Sequence, residues 1–264
     1  VSWDPNRYLQ YEDARLRPAL ELVARIALDA PATIADLGCG AGNVAQHLAR
    51  RWPAARIEGV DGDEAMLAKA RAATRGDARF AWTQCDLAAW RPGFAVDVLY
   101  SNAALHWLDD HARLFPRLFA HVAPGGVLAV QMPGNFRAPS HQALFDVATL
   151  DRWRDRLARH VRRAPVAPLA QYHAWLEPLA AAVDLWATEY HQLLPGRADG
   201  EHPVVAWMRG TALVPFVESL DDAEGRAFVE ALSQRIDAAY PRRRDGSVLF
   251  PFRRIFIVAV RAAG

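Results

Sequence analysis

The sequence predicts an α/β fold: a parallel sheet with helices wound on both faces and helical cap insertions in its second half. Three observations predict it. Short apolar runs alternate with helical patterns through the first 132 residues, which is the rhythm of a parallel sheet. A tight glycine turn, "DLGCGAGN", joins the first run to the first helix of that series. Acids stand at the ends of the first three runs: Asp36 before the turn, Asp61 closing the second run and Asp86 after the third.

Residues 33–37 (TIADL) read as a short buried strand, followed by a helix over 42–52 that stops before Pro53. Residues 56–60 (RIEGV) form the second strand and 63–74 a helix. The third and fourth strands cover about 79–84 and 96–101. A helix from about 110 to 122 is closed by "APGG" at 123–126, and a fifth strand runs over 127–131. After Met132-Pro133 the rhythm changes: 138–162 and 168–181 read as helices, 183–192 as a strand, 200–240 as helix and 253 onward as a last strand. The insertions, about 134–165 and 194–248, are expected to fold over the sheet as a cap. The organisation is then a core over 1–132, a cap over 133–252 that includes the late core strand, and a final core strand over 253–264. One compact domain is expected overall.

Composition narrows the partners. Hydrophobic residues make up 52% and charged residues 23% of the 264, ordinary for a globular protein. A net charge of +1 supplies no field to draw the chain to nucleic acid or an anionic membrane. Two cysteines, Cys39 and Cys85, give neither a disulfide framework nor metal-ligand spacing, and Cys39 is a small structural residue inside the turn. No apolar span of membrane length and no basic-then-apolar leader are seen, so a reducing cytoplasm is the expected compartment. The stretch "RWRDRLARHVRR" (152–163) reads as a solvated helix face in preference to a binding patch.

The glycine turn resembles a dinucleotide loop, but the glycines fall at 38, 40 and 42, one residue early for the pyrophosphate pattern. Asp36 at its mouth would repel a diphosphate and suit a ligand with an ammonium group and no phosphate. S-adenosylmethionine is such a ligand. Asp61 stands 25 residues after Asp36, where a carboxylate can accept both ribose hydroxyls. Asp86 can accept from the adenine amino group, or serve as a helix cap or turn residue.

The pattern "ADLGCGAGN", "GVDGDEAML", "CDL", "SNAALHWL" and "VAPGGVLAVQMP" resembles the class I S-adenosylmethionine-dependent methyltransferases, whose sheet is Rossmann-like. Within them, "RWPAARIEGVD", "NAALHWL", "LAVQMPGN", "PLAQYHAW", "YHQLLPG" and "RIFIVAV" are similar to the trans-aconitate methyltransferase family across essentially the whole chain. The resemblance implies S-adenosyl-L-methionine as cofactor, S-adenosyl-L-homocysteine as product, and contacts from Asp36, Gly38, Gly40, Gly42, Asp61, Asp86, Leu87 and Asn102. The leading segment "WDPNRYLQYEDARLRP" folds over the cofactor in similar enzymes, making Tyr8, Tyr11 and Arg17 candidates to close the site; it reads equally as an amphipathic helix dressing the sheet surface. His106 and Trp107 would sit at the mouth of the acceptor pocket. His106 reads as a base, an orienting donor or a packing residue, and Trp107 alternatively as a helix-packing aromatic.

Gln131, Asn135, His173, Tyr190, His191, Trp207, Tyr240 and Arg254 are candidates for the acceptor pocket. Arg254 would aim a fork at a substrate carboxylate or form a salt bridge within the cap. The expected reaction is esterification of a small polycarboxylate, by resemblance trans-aconitate. Such an acceptor is already anionic at neutral pH and needs no base, in keeping with a sequence that shows no acid–base dyad and no metal-binding carboxylate cluster. The competing expectations are another small or acyl-carrier-protein-linked carboxylate, a hydroxyl or amine acceptor, and a non-catalytic cofactor-binding protein.

Overall fold

The computed structural model describes residues 12–162 and 164–264. Seven strands form one sheet in the order β3-β2-β1-β4-β5-β7-β6. They are β1 (Thr33–Leu37), β2 (Arg56–Asp61), β3 (Phe80–Gln84), β4 (Val96–Asn102), β5 (Val122–Pro133), β6 (Ala180–Leu194) and β7 (Val248–Arg261). β1 pairs in parallel with β2 and β4, β2 with β3, and β4 with β5. β7 runs antiparallel to β5, so the sheet is mixed and not wholly parallel as the rhythm suggested.

The helices around the first strands are α1 (Glu12–Ala24), α2 (Asn43–Arg51), α3 (Glu64–Ala73) and α4 (His111–Phe119). α2 starts from Gly42, whose φ of 77° is left-handed backbone that costs glycine little. α3 is capped by Asp63, whose carboxylate accepts from the N–H groups of Ala65 and Met66. The fold class and its first four strands match the sequence pattern within a residue or two.

Three departures have local causes. The "APGG" segment lies inside β5 and does not close the preceding helix. There the β4–β5 register shifts between Val96 and Val98, and a Cβ on Gly126 would sit 2.7 Å from the Asp97 carbonyl oxygen. The expected helix over 138–162 is broken into α5 (Pro139–Ala148), α6 (Arg154–Leu157) and a 3₁₀ turn, Ala158–His160. The break lets Trp153 and Leu157 turn into the core while Arg152, Arg154, Arg156 and Arg159 stay exposed. The expected helix over 200–240 is likewise α8 (Pro203–Met208), α9 (Val214–Val217) and α10 (Asp222–Ala239). Pro215 and the Asp221 cap each start a new helix there. The helix expected over 168–181 is the shorter α7 (Leu169–Leu176), and the two late strands are longer than expected.

The chain divides into two compact units where a single domain was expected. One takes Arg15–Pro133, Pro165–Thr188 and Arg254–Gly264, and the other contains Gly134–Ala164 and Glu189–Arg253. In the first, Leu114, Phe115, Leu118 and Phe119 of α4 pack with Tyr172 and Leu176 of α7 and with the inner strands. The second has its own core, in which α10 packs on α5 through Phe228, Leu232 and Ile236. No helix among the described residues is long and apolar enough to cross a membrane.

Candidate functional site

In the first unit, the carboxyl ends of β1, β2 and β4 converge on the glycine loop. Gly38 and Cys39 donate their N–H groups to the Val60 carbonyl at 2.8 and 3.1 Å, docking the loop on β2. Gly40 N–H donates to Asp61 Oδ2 at 2.8 Å, and Asp63 N–H to Asp61 Oδ1 at 2.9 Å. Asp61 is therefore held at both oxygens, each with a lone pair still available.

The three glycines have different reasons. A Cβ on Gly38 would fall 2.1 Å from the Ala104 Cβ, so Gly38 lets the turn after β4 close against the loop. Leu87 approaches the same point, at 3.5 Å. Gly40 has φ of 54° and faces the Met66 methyl at 3.2 Å. A Cβ on Gly42 would meet the Trp82 indole at 2.5 Å, and one on Gly59 would meet it at 2.2 Å. Gly42 thus serves the packing of Trp82 from β3, a contact that sequence reading missed. A glycine in mid-strand at position 59 was the available signal.

Strand pleating places Asp36, Tyr100, Asn102 and Gln131 on one face of the sheet, because Asp36 is the Cα partner of Tyr100 and Asn102 of Gln131. Asp36 is 2% exposed, and burial, then the Asp61 charge, pushes its carboxyl up to about 7. Its Oδ2 has no hydrogen-bond partner among the described residues, and neither has Asn102 Oδ1. Two buried, unsatisfied acceptors at adjacent strand ends suit a cationic nitrogen and oppose an anion. Burial and the Asp36 charge also raise the Tyr100 phenol, which donates to the Ala19 carbonyl at 3.0 Å. Burial likewise raises the Cys39 thiol, leaving it inert.

Asp86, exposed after β3, lines a cleft of about 490 Å³ with Gly62, Gln84, Cys85, Leu87 and Leu108. Its Oδ1 accepts the Ala88 N–H at 2.9 Å, so it is a turn residue and a cleft residue at once. After β4 the chain turns through Ala103 at a φ of 54°, rare for a residue with a side chain. The 3₁₀ turn Leu105–Trp107 follows, with His106 buried and Trp107 exposed.

That turn is braced by residues the sequence did not single out. Ala167 N–H donates to the Tyr172 hydroxyl at 3.1 Å, and Tyr172 lies 2.6 Å from His111 Nδ1. His111 Nε2 lies 3.0 Å from the Leu105 carbonyl oxygen. One proton assignment serves all three contacts: the Tyr172 hydroxyl donates to Nδ1 and Nε2–H donates to Leu105. The neighbouring candidate, His173, is exposed on α7.

The remaining candidates divide between the units. Gln131 is buried on β5, and Arg254 is buried on β7 as the Cα partner of Pro133. In the second unit, Asn135, Tyr190, Trp207 and Tyr240 are buried, while His191 is exposed beside Glu189 at 3.2 Å. Trp207 packs on Phe252 and Phe250, with ring centroids 4.7 and 5.3 Å away, as a core residue. Tyr240 accepts the Ser140 N–H at 3.1 Å at the start of α5. Asn135 Nδ2 lies 3.5 Å from Nδ1 of His141, whose imidazole burial pushes down to about 4. Arg17 is exposed on α1, while Tyr8 and Tyr11 lie outside the described residues.

A family model described as a methyltransferase domain matches residues 34–126, which span the glycine loop, Asp61, Asp86 and the turn after β4. Among solved structures, the YcgJ protein of Bacillus subtilis is similar with a TM-score of 0.61 at 15% identity, over 94% of this chain and 100% of that one. A Haemonchus contortus phosphoethanolamine N-methyltransferase 2, in complex with S-adenosyl-L-methionine, is similar with a TM-score of 0.55 at 16% identity, over 93% and 52%. Both likenesses concern the fold. In sequence, the trans-aconitate 2-methyltransferase of Azoarcus sp. (strain BH72) is 45% identical over 98% of this chain and 99% of its own length. That of Paracidovorax citrulli is 46% identical over 99% of each. With identity at this level along nearly the whole length, the chain belongs to the trans-aconitate 2-methyltransferase family.

Proposed function

We propose that the protein transfers the methyl group of S-adenosylmethionine to a carboxylate of trans-aconitate, giving the monomethyl ester and S-adenosylhomocysteine. The carrying observation is the pair of buried, unsatisfied acceptors, Asp36 Oδ2 and Asn102 Oδ1, beside a glycine loop whose own stretch, "DLGCGAGN", carries no basic residue. The residues fit the cofactor on their own chemistry: Asp36 and Asn102 would hold its ammonium, Asp61 its ribose hydroxyls, and the cleft at Asp86 and Leu87 its adenine. When bound, the cofactor supplies an electrophilic methyl carbon on a sulfonium.

The protein's part is to bind, align and exclude water. A carboxylate acceptor is ionised at neutral pH and gives up no proton as it reacts. Its oxygen forms the new O–C bond as the S–C bond breaks, the electron pair staying on sulfur; the anion and the sulfonium are both neutralised. Charge is thus lost at the transition state, so a desolvated pocket favours the reaction. Alignment alone can supply about 7–11 kcal/mol of the barrier. We assign the protein to the reducing cytoplasm, a compartment in keeping with its free Cys39 and Cys85, with no nucleic-acid or membrane partner.

Incubation with methyl-labelled cofactor and trans-aconitate tests the reading. Label in a base-labile monomethyl ester is the expected result. Label in another acid's ester, with none in trans-aconitate, would overturn the substrate and leave the reaction class standing.

A further inference from the structure

Gln131 is 1% exposed, yet neither its Oε1 nor its Nε2 has a hydrogen-bond partner among the described residues. A carboxamide left this way forfeits the hydration of two polar atoms. Its same-face neighbours, Ala129 on β5 and its Cα partner Phe256 on β7, are buried and apolar, so leucine or methionine would cost the fold less. Such a residue points to a ligand. Its place in the register says which part of the ligand. Gln131 is the Cα partner of Asn102 on β4, one strand away and on the same face, at the carboxyl end of the sheet.

Asn102 Oδ1 and Asp36 Oδ2 already present acceptors for a cation. Gln131, one strand further from the glycine loop on the same face, adds a buried donor to these acceptors. We infer that Gln131 orients the acceptor carboxylate, its Nε2–H donating to the oxygen that does not take the methyl group. The inference rests on the carboxylate reading above. A neutral amide suits this role because it fixes the anion's direction without the full charge neutralisation of a guanidinium, which would blunt the attacking oxygen.

Two variants test this: Gln131→Met, of similar length without the amide, and Gln131→Glu, which sets a carboxylate against the acceptor. Gln131→Met is expected to keep the S-adenosylhomocysteine affinity of the parent within about twofold and to match or exceed its Tm. Its kcat/KM for trans-aconitate should fall by about 100-fold, as on misalignment of a reacting group. Gln131→Glu should lose more, again with cofactor affinity retained. Parental kcat/KM in Gln131→Met overturns the assignment. So does a loss of Tm and S-adenosylhomocysteine affinity in both variants, which would mark a structural residue. If the parent esterifies a different acid, the same comparison is made with that acid: the substrate reading fails in the parent, this one only in the ratio of variant to parent. A parent that esterifies no acid overturns both.

Discussion

The Gly40 amide donates to Asp61 Oδ2 across 2.8 Å, so one carboxylate ties the glycine loop to the end of β2. Because Asp61 Oδ1 also accepts from Asp63 N–H, at 2.9 Å, both oxygens have backbone donors before any ligand arrives. Asp61→Asn places an NH₂ group against one of those donors. We expect S-adenosylhomocysteine affinity to fall by about 10- to 100-fold, with about 1–2 kcal/mol lost from unfolding stability. Calorimetry and urea denaturation measure the two; unchanged affinity would remove Asp61 from the ribose site.

Asp36 sets a pH dependence. Its folded-state carboxyl lies at about 7 against an ordinary 3.8, so the folded protein holds a proton that the unfolded chain has released. The raised value stabilises the fold below pH ~4, and that contribution is lost as pH rises through about 7, by of order 4 kcal/mol in full. Asp36→Asn should flatten this decline in ligand-free protein. A bound ammonium reverses the preference, so cofactor affinity should climb between about pH 6 and 8, with proton release seen as buffer-dependent heats. A flat affinity across that range would contradict the ammonium contact.

Trp82 predicts a coupled pair. Gly59→Ala drives a Cβ to within 2.2 Å of the indole, and a loss of about 2–4 kcal/mol is expected on denaturation. Trp82→Leu should make the same glycine change far milder. Additive effects in the double mutant would show that the clash is relieved elsewhere.

Tyr172→Phe removes the hydroxyl between Ala167 N–H and His111 Nδ1. Losing the hydroxyl that joins the buried His111 ring to the half-buried Ala167 N–H is expected to cost about 1–3 kcal/mol. Hydrogen exchange should rise around residues 105–108, whose Leu105 carbonyl His111 holds. Exchange unchanged there would mean the turn does not depend on this brace.

Much of the first unit could be read directly. β1 and the helix boundaries near Gly42 and Asp63 follow from a buried apolar run, a left-handed glycine and a cap, all set by neighbours within a few residues. The single helix expected over 138–162 misses its break, because continuous polar–apolar mixing carries no mark of the point where Trp153 turns inward. The breaks within 200–240 fall at Pro215 and Asp221, marks the local sequence does carry. The His111–Tyr172 contact joins residues 61 positions apart, and no local pattern announces it.

Sequence alone determined the α/β rhythm, the glycine turn and the acids placed against it, since backbone conformation answers to adjacent side chains. Tertiary structure alone decided that β7 runs antiparallel, that Gly42 faces Trp82, that Asp36 is buried enough to hold its proton near neutrality, and that the Gln131 amide is left unsatisfied. Burial and desolvation are sums over atoms brought together from distant parts of the chain, and they exist only once the sheet has closed.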